Sequence, residues 1–180
     1  KSKKMFKKIK INRSKGIVFW IEGFSGSGKS TIAKKSHKRI SNIFGTTIVL
    51  SGDTLRKLFN FKGYSKSERI RNSFTFSKFI KFLTNQKINV IYTVVGLNYA
   101  AKSIYKKSLN NFIEIFISAD IQKILKMKRK KKVYKLKKNI VGLDIKPEFP
   151  KKPNIIIRNN FDKPAIKLSN ELIDKLEKII

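Results

Sequence analysis

A parallel five-stranded α/β sheet flanked by helices is the fold this sequence predicts, and three observations predict it. Short β-branched, apolar runs alternate with stretches of helical periodicity along the chain. The first run ends in a glycine-rich turn that opens directly into a helix. The helical stretches between strands are long enough for crossover connections, which are right-handed and cover both faces of a parallel sheet.

Each element follows from its own residues. Gly16-Ile17-Val18-Phe19-Trp20-Ile21 reads as a buried strand, and from Lys29 to about Phe44-Gly45 the residues Ile32, Ala33, Ser36 and Ile40 fall on one helical face. A second strand, Thr46–Leu50, stops at Ser51-Gly52-Asp53, with a short helix Thr54–Leu58 after it that Asp53 is placed to cap. Ser65-Lys66-Ser67-Glu68 has the spacing of a capping box, so a helix is expected from there to about Leu83. Strands Ile88–Val95 and Phe112–Ile117 flank a helix Tyr99–Leu109, and a basic helix Ile121–Lys131 precedes an aperiodic segment, 132–153, with Gly142 and three prolines. In a compact domain an irregular stretch of that length is usually functional. Ile155-Ile156-Ile157 is a last strand, and a final helix follows with Asp162 as its cap and Pro164 in its first turn.

The chain's 180 residues suit one domain, 1–180, with a basic stretch 1–15 expected to be disordered. Forty-three Lys+Arg against 11 Asp+Glu give a net charge of +32. The excess is mostly Lys, dispersed among many Ile and Asn, which reads as compositional drift on a solvated surface rather than a nucleic-acid-binding patch. With no cysteine and one histidine, His37, thiolate metal sites, cysteine nucleophiles and multi-histidine centres are excluded. No apolar run approaches the ~18 residues of a membrane span, and no signal-peptide core follows the basic start, so the cytoplasm is the expected compartment.

Gly23-Phe24-Ser25-Gly26-Ser27-Gly28-Lys29-Ser30 fits GxxxxGK[ST], between a buried strand and a helix, where its mechanism requires it. Glycines let successive amides converge on a β-phosphate at the helix N-terminus. Gly23, Ser25, Gly26, Ser27, Gly28, Lys29, Ser30 and Thr31 are the expected ATP-binding residues, with Lys29 between the β- and γ-phosphates and Ser30 on Mg²⁺. Transfer also needs a carboxylate near the acceptor oxygen. Of the eleven acids Asp53 is best placed, since it closes the second strand at the edge that carries the phosphate loop. Asp144 is the other candidate. Glu22 reads as a surface acid at a strand end, and Glu114, Asp162, Glu171, Asp174 and Glu177 read as structural. Arg56 and Arg69, in a chain where Lys dominates, suggest planar anion contacts, and Arg71 less so.

In series, the phosphate loop, Ser51-Gly52-Asp53-Thr54-Leu55-Arg56, Gly63-Tyr64-Ser65 with Arg69 and Asn72, Val133-Tyr134-Lys135, and Gly142-Leu143-Asp144 with Pro153-Asn154 resemble adenylylsulfate kinase. The resemblance spans about Gly16–Asn159. It implies a three-layer P-loop kinase fold with a mobile lid at 132–153, and MgATP-dependent phosphorylation of the 3′-hydroxyl of adenosine 5′-phosphosulfate. It also implies that Lys29 and Asp53 are catalytic, that Ser30 and Asp53 face the metal, and that Asp53, Arg56, Arg69 and Asn72 bind the acceptor, with Tyr64 stacked on its base. Lys135, Gly142 and Leu143 match the lid of that family and are expected to bind the substrate as well; the family tends to form dimers.

Several positions depart from the family pattern. Ser51 stands where the family has an Asp, Ser73-Phe74-Thr75 replace Ile-Arg-Arg, and Gly96-Leu97-Asn98-Tyr99 replace Ser-Pro-Tyr-Arg. Together with the Val-Gly-Leu-Asp of the lid, these changes also resemble the offshoot that phosphorylates cytidine diphosphoramidate. A nucleic-acid-binding P-loop protein and an inactive relative are the remaining readings.

Overall fold

The structure, a computed structural model, describes residues 8–127 and 138–180. Its elements are β1 (Ile17–Glu22), α1 (Lys29–Phe44), β2 (Thr47–Ser51), α2 (Gly52–Leu58), α3 (Lys66–Asn85), β3 (Asn89–Val94), α4 (Tyr99–Ser108), β4 (Asn111–Ser118), α5 (Ile121–Lys126), β5 (Ile155–Arg158) and α6 (Ala165–Ile179). The five strands are parallel in the order β2-β3-β1-β4-β5.

Strand alternation divides the core. Ile17, Phe19 and Ile21 of β1 face α1 and α6, where they meet Ile32, Ala33, Ile40, Leu168, Leu172 and Ile173. Val18 and Trp20 face α2, α3 and α4 and join Leu55, Phe76, Ile80, Tyr92 and Tyr105. In that second layer Trp20 lies 4.6 Å from Tyr105 and 5.3 Å from Tyr92, ring centre to ring centre. Burial on both faces explains why β1 reads as an unbroken apolar run up to its last residue.

Register sets the functional edge. Glu22 pairs with Val94 and Phe116, and Ser51 with Thr93, so the loops after β1, β2 and β3 leave the sheet at one level. β3 lies between β1 and β2. Thr93-Val94-Val95 therefore forms the floor between the phosphate loop and Asp53, as expected for a ligand site beyond the carboxyl ends of parallel strands.

The Ser65–Glu68 capping box is present, with both reciprocal bonds. Two cap assignments change. Ser51, not Asp53, caps α2, its hydroxyl accepting from the Thr54 amide, so Asp53 stands in the first turn with its carboxylate outward. Pro164 rather than Asp162 is the N-cap of α6, without a side-chain cap bond. Within 8–15, Ile9 and Ile11 lie against the core and the Ile9 amide donates to the Ile179 carbonyl at 2.6 Å, while most of the other residues are exposed.

Candidate active site

The phosphate loop holds its shape through its own polar groups. The Phe24 carbonyl accepts from the Ser27 amide at 3.1 Å and from the Lys29 ammonium at 2.6 Å. Gly28, with φ of 96°, is the N-cap of α1, a conformation that a side chain would strain. Loop and helix N-terminus face a cavity of about 570 Å³. Its wall includes Ser25, Gly26, Lys29 and Ser30 on one side and Asp53, Arg56, Tyr64 and Arg69 on the other.

The second wall is a linked set. The Tyr64 hydroxyl donates to Asp53 Oδ1 at 3.2 Å, and Arg56 Nη1 lies 3.6 Å from the same oxygen. The Arg56 guanidinium sits 4.5 Å from the Tyr64 ring centre and that of Arg69 5.7 Å. Arg69 also donates to the Tyr64 carbonyl at 2.8 Å and to the Asn139 carbonyl at 3.3 Å. Burial, with Arg56 alongside, lowers the Arg69 pKa to about 10, and burial followed by the Asp53 charge raises that of Tyr64. Two cations and one exposed carboxylate on one wall form a place for an anionic acceptor.

The described part of the expected lid roofs this cavity. Asn139, Ile140 and Val141 line it, and Ile140 and Val141 pack with Phe24 of the phosphate loop, Leu97 and Ile124. Asp144 accepts from the Ile140 amide at 2.9 Å, so this carboxylate closes a turn. Glu148 fixes the far end, accepting from Lys66 at 2.6 Å and from the Tyr99 amide.

Lys29, Asp53, Ser30, Ser25, Gly26, Arg56, Tyr64 and Arg69 thus meet on one cavity. Gly23, Ser27, Gly28 and Thr31 are not on its wall. Gly23 and Ser27 are buried beneath the loop, and Thr31 faces outward on α1. Asn72 lines a neighbouring cavity of about 300 Å³ that shares Gly63 and Glu68 with the first. Gly142, at φ 98°, abuts Phe24 and Ile121, and Leu143 is half exposed. Lys135 and the Val133-Tyr134 pair lie outside the described residues.

Sequence reasoning missed a buried charge network behind the loop. Glu22 is fully buried, not a surface acid: Lys102 of α4 donates to it at 2.6 Å and to Glu114 at 2.6 Å, and Lys106 donates to Glu114 at 2.6 Å. Burial raises the Glu22 pKa to about 7, against the pull of Lys102. For Glu114 the hydrogen bonds from Lys102 and Lys106 outweigh burial and lower it. Position 22 on the even-numbered, inward face of a buried strand was the available signal.

The donor set fits ATP with Mg²⁺: a lysine and glycine-rich amides for phosphate, a serine hydroxyl and a carboxylate for a hard cation. No separate cluster of three or more His, Asp or Glu for a metal occurs among the described residues. No described helix is long and apolar enough to cross a membrane.

Comparison with known proteins agrees with this site. Residues 15–158 match the family model described as adenylylsulphate kinase. The cytidine diphosphoramidate kinase of Campylobacter jejuni is 31% identical over 167 residues, covering 91% of this chain and 94% of the relative. The adenylyl-sulfate kinase of Clostridium kluyveri is 29% identical over 174 residues, covering 93% and 86%. The Mycobacterium tuberculosis APS kinase CysC, solved in complex with AMPPNP and APS, superposes with a TM-score of 0.75 at 24% identity, covering 91% of this chain and 98% of that one. A glycine-rich phosphate cradle, a carboxylate and two arginines across from it, and a family match over most of the length lead to one conclusion: the chain belongs to the adenylylsulphate kinase family, and it is an ATP-dependent kinase that uses Mg²⁺.

Proposed function

We propose that this kinase transfers the γ-phosphoryl group of ATP to the ribose 3′-hydroxyl of adenosine 5′-phosphosulfate. The observation that carries the reading is that Lys29 and Asp53 face one cavity of about 570 Å³ whose acceptor wall holds Arg56 and Arg69. ATP bound with Mg²⁺ supplies the phosphoryl group and partial neutralisation of its charge. Loop amides and Lys29 hold the β- and γ-phosphates, and Ser30 with Asp53 holds the metal. Asp53 orients the acceptor hydroxyl and takes up its proton. Arg56 and Arg69 grip the acceptor's anionic end, with the Tyr64 ring toward its base and Asn72 behind it. The roof from Asn139 to Val141 excludes water, and Lys135, Gly142 and Leu143 are assigned to acceptor binding from the family resemblance.

A second acceptor, cytidine diphosphoramidate, is favoured by specific features. The curated relative of that name is 31% identical over nearly the whole chain. Phe74 and Thr75 stand where the family pattern carries two arginines, which leaves fewer cations on the acceptor side. The test offers both acceptors in parallel with γ-labelled ATP. Preferred transfer to adenosine 5′-phosphosulfate supports the first reading, preferred transfer to cytidine diphosphoramidate the second, and binding of ATP without transfer to either an inactive relative.

The +32 charge is assigned to surface drift, in a cytoplasmic protein with no specific nucleic-acid partner. Duplex binding that persists near ~0.2 M salt with a steep log–log slope would overturn that assignment. A homodimer completes the proposal and is read by light scattering.

A further inference from the structure

Asn159, just after β5, belongs to none of the groups assigned above. It is 7% exposed, and each polar group of its side chain and its main-chain amide has a defined partner. The side-chain Nδ2 donates to the Ser27 carbonyl at 2.9 Å, Oδ1 accepts from the Phe161 amide at 3.0 Å, and the main-chain amide donates to the Ser118 carbonyl at 2.8 Å. The bond to Phe161 fixes which way the amide faces, so the donor is directed at the phosphate loop. A Cβ built on Gly28 would lie 2.8 Å from Nδ2, which measures how closely the side chain is pressed against the underside of that loop.

We infer that Asn159 is a positioning residue for ATP, orienting the Ser27–Gly28 peptide so that the Gly28 amide is turned away from Asn159, toward the side of the loop where ATP phosphates bind. The carbonyl and N–H of a planar trans peptide point in opposite directions. Holding the Ser27 oxygen down onto buried Asn159 therefore turns the Gly28 N–H up, toward the face that Gly26, Lys29 and Ser30 line. A loop amide is an effective anion donor only when it is already aimed before the anion arrives. The end of β4 and the β5–α6 connection, tied together by Asn159, thus serve as the rigid backing of the cradle. In sequence Asn159 stands about 130 residues from Ser27, in a chain rich in Asn, and nothing in its local pattern marks it.

The test measures dissociation constants for Mg-ATP and for a non-hydrolysable ATP analogue by calorimetry on the full chain, together with Tm. Asn159→Ala removes the donor. Asn159→Asp keeps the shape and the acceptor for Phe161 but sets a second acceptor against the Ser27 carbonyl. Asn111→Ala is the comparator, since Asn111 is equally buried and bonds main-chain carbonyls at the opposite edge of the sheet. Expected is a loss of ATP affinity of about tenfold or more for both Asn159 variants well below their Tm, larger for Asp, with Asn111→Ala within about twofold of wild type. In turnover the KM for ATP rises more than kcat falls. ATP affinity within about twofold of wild type in Asn159→Ala overturns the inference, as does an equal loss in Asn111→Ala, which would trace the effect to lost stability. Should Asn159→Ala fail to fold, Asn159→Ser, which retains an acceptor for Phe161 but is too short to reach Ser27, is judged by the same criteria.

Discussion

The Tyr64 hydroxyl donates to the Asp53 carboxylate across 3.2 Å while the face of its ring lies 4.5 Å from the Arg56 guanidinium. The residue expected to stack on the acceptor's base thus has a second task here, holding one carboxylate oxygen. Tyr64→Phe keeps the ring beside Arg56 and Arg69 and removes the hydroxyl that donates to Asp53. At about 1 kcal/mol for a hydrogen bond of this kind, kcat should fall several-fold with the KM for ATP nearly constant. Steady-state kinetics with saturating Mg-ATP checks it, and an unchanged kcat would return Tyr64 to stacking alone.

Lys29→Ala should reduce phosphoryl transfer by about 10³-fold or more, because the ammonium offsets charge that develops on the transferring group. In the free protein Lys29 donates to the Phe24 carbonyl within the loop, outside the hydrophobic core clusters. A near-wild-type Tm with no labelled product is the expected pair of results, and wild-type turnover would remove the kinase reading of this loop.

Asp53→Asn separates charge from shape. With its side chain 70% exposed, Asp53 contributes little to stability, so Tm should hardly move. Loss of a base and metal partner should lower kcat by roughly 10²–10⁴-fold. A loss under about tenfold would mean that Asp53 only orients the acceptor.

Much of the architecture was legible because it rests on local patterns. β1 is apolar on both faces, Ser65 and Glu68 have capping-box spacing, and GxxxxGK[ST] sits between a strand and a helix. That Asp53 would line the same cavity as the phosphate loop was legible because strand ends in a parallel sheet share one edge. What escaped were partners far apart in sequence. Glu22 and Lys102 are 80 residues apart, and a lysine shared by two buried carboxylates looks, in this composition, like any surface lysine. Asn72 was grouped with the acceptor residues, yet helical phase turns it toward the smaller cavity.

The buried network makes a strong stability prediction. Lys102→Met leaves Glu22 and much of Glu114 without their counter-ion in a dry interior, and breaking such a pair should cost about 3–5 kcal/mol. Urea unfolding at neutral pH measures it. A loss below about 1 kcal/mol would show that water reaches these carboxylates.

Glu22 also predicts a pH dependence with a defined sign. Its folded pKa, about 7, is above the ordinary 4.5, so its stabilising contribution is complete at pH values below 4.5 and is lost as pH rises through about 7. Glu22→Gln removes this dependence. The stability difference should therefore shift in favour of the variant as pH rises from 4.5 through about 7. Unfolding curves across that window test it, and parallel curves for the two proteins would contradict it.

The backbone bond between Ile9 and Ile179 sets two distant stretches of chain side by side where α6 ends, at the pole of the sheet away from the phosphate loop. The end of α6 is therefore braced on the blind side of the enzyme, by a bond that no ligand in the cavity touches. Loosening that brace would fray the last helical turn and leave the open mouth as it is.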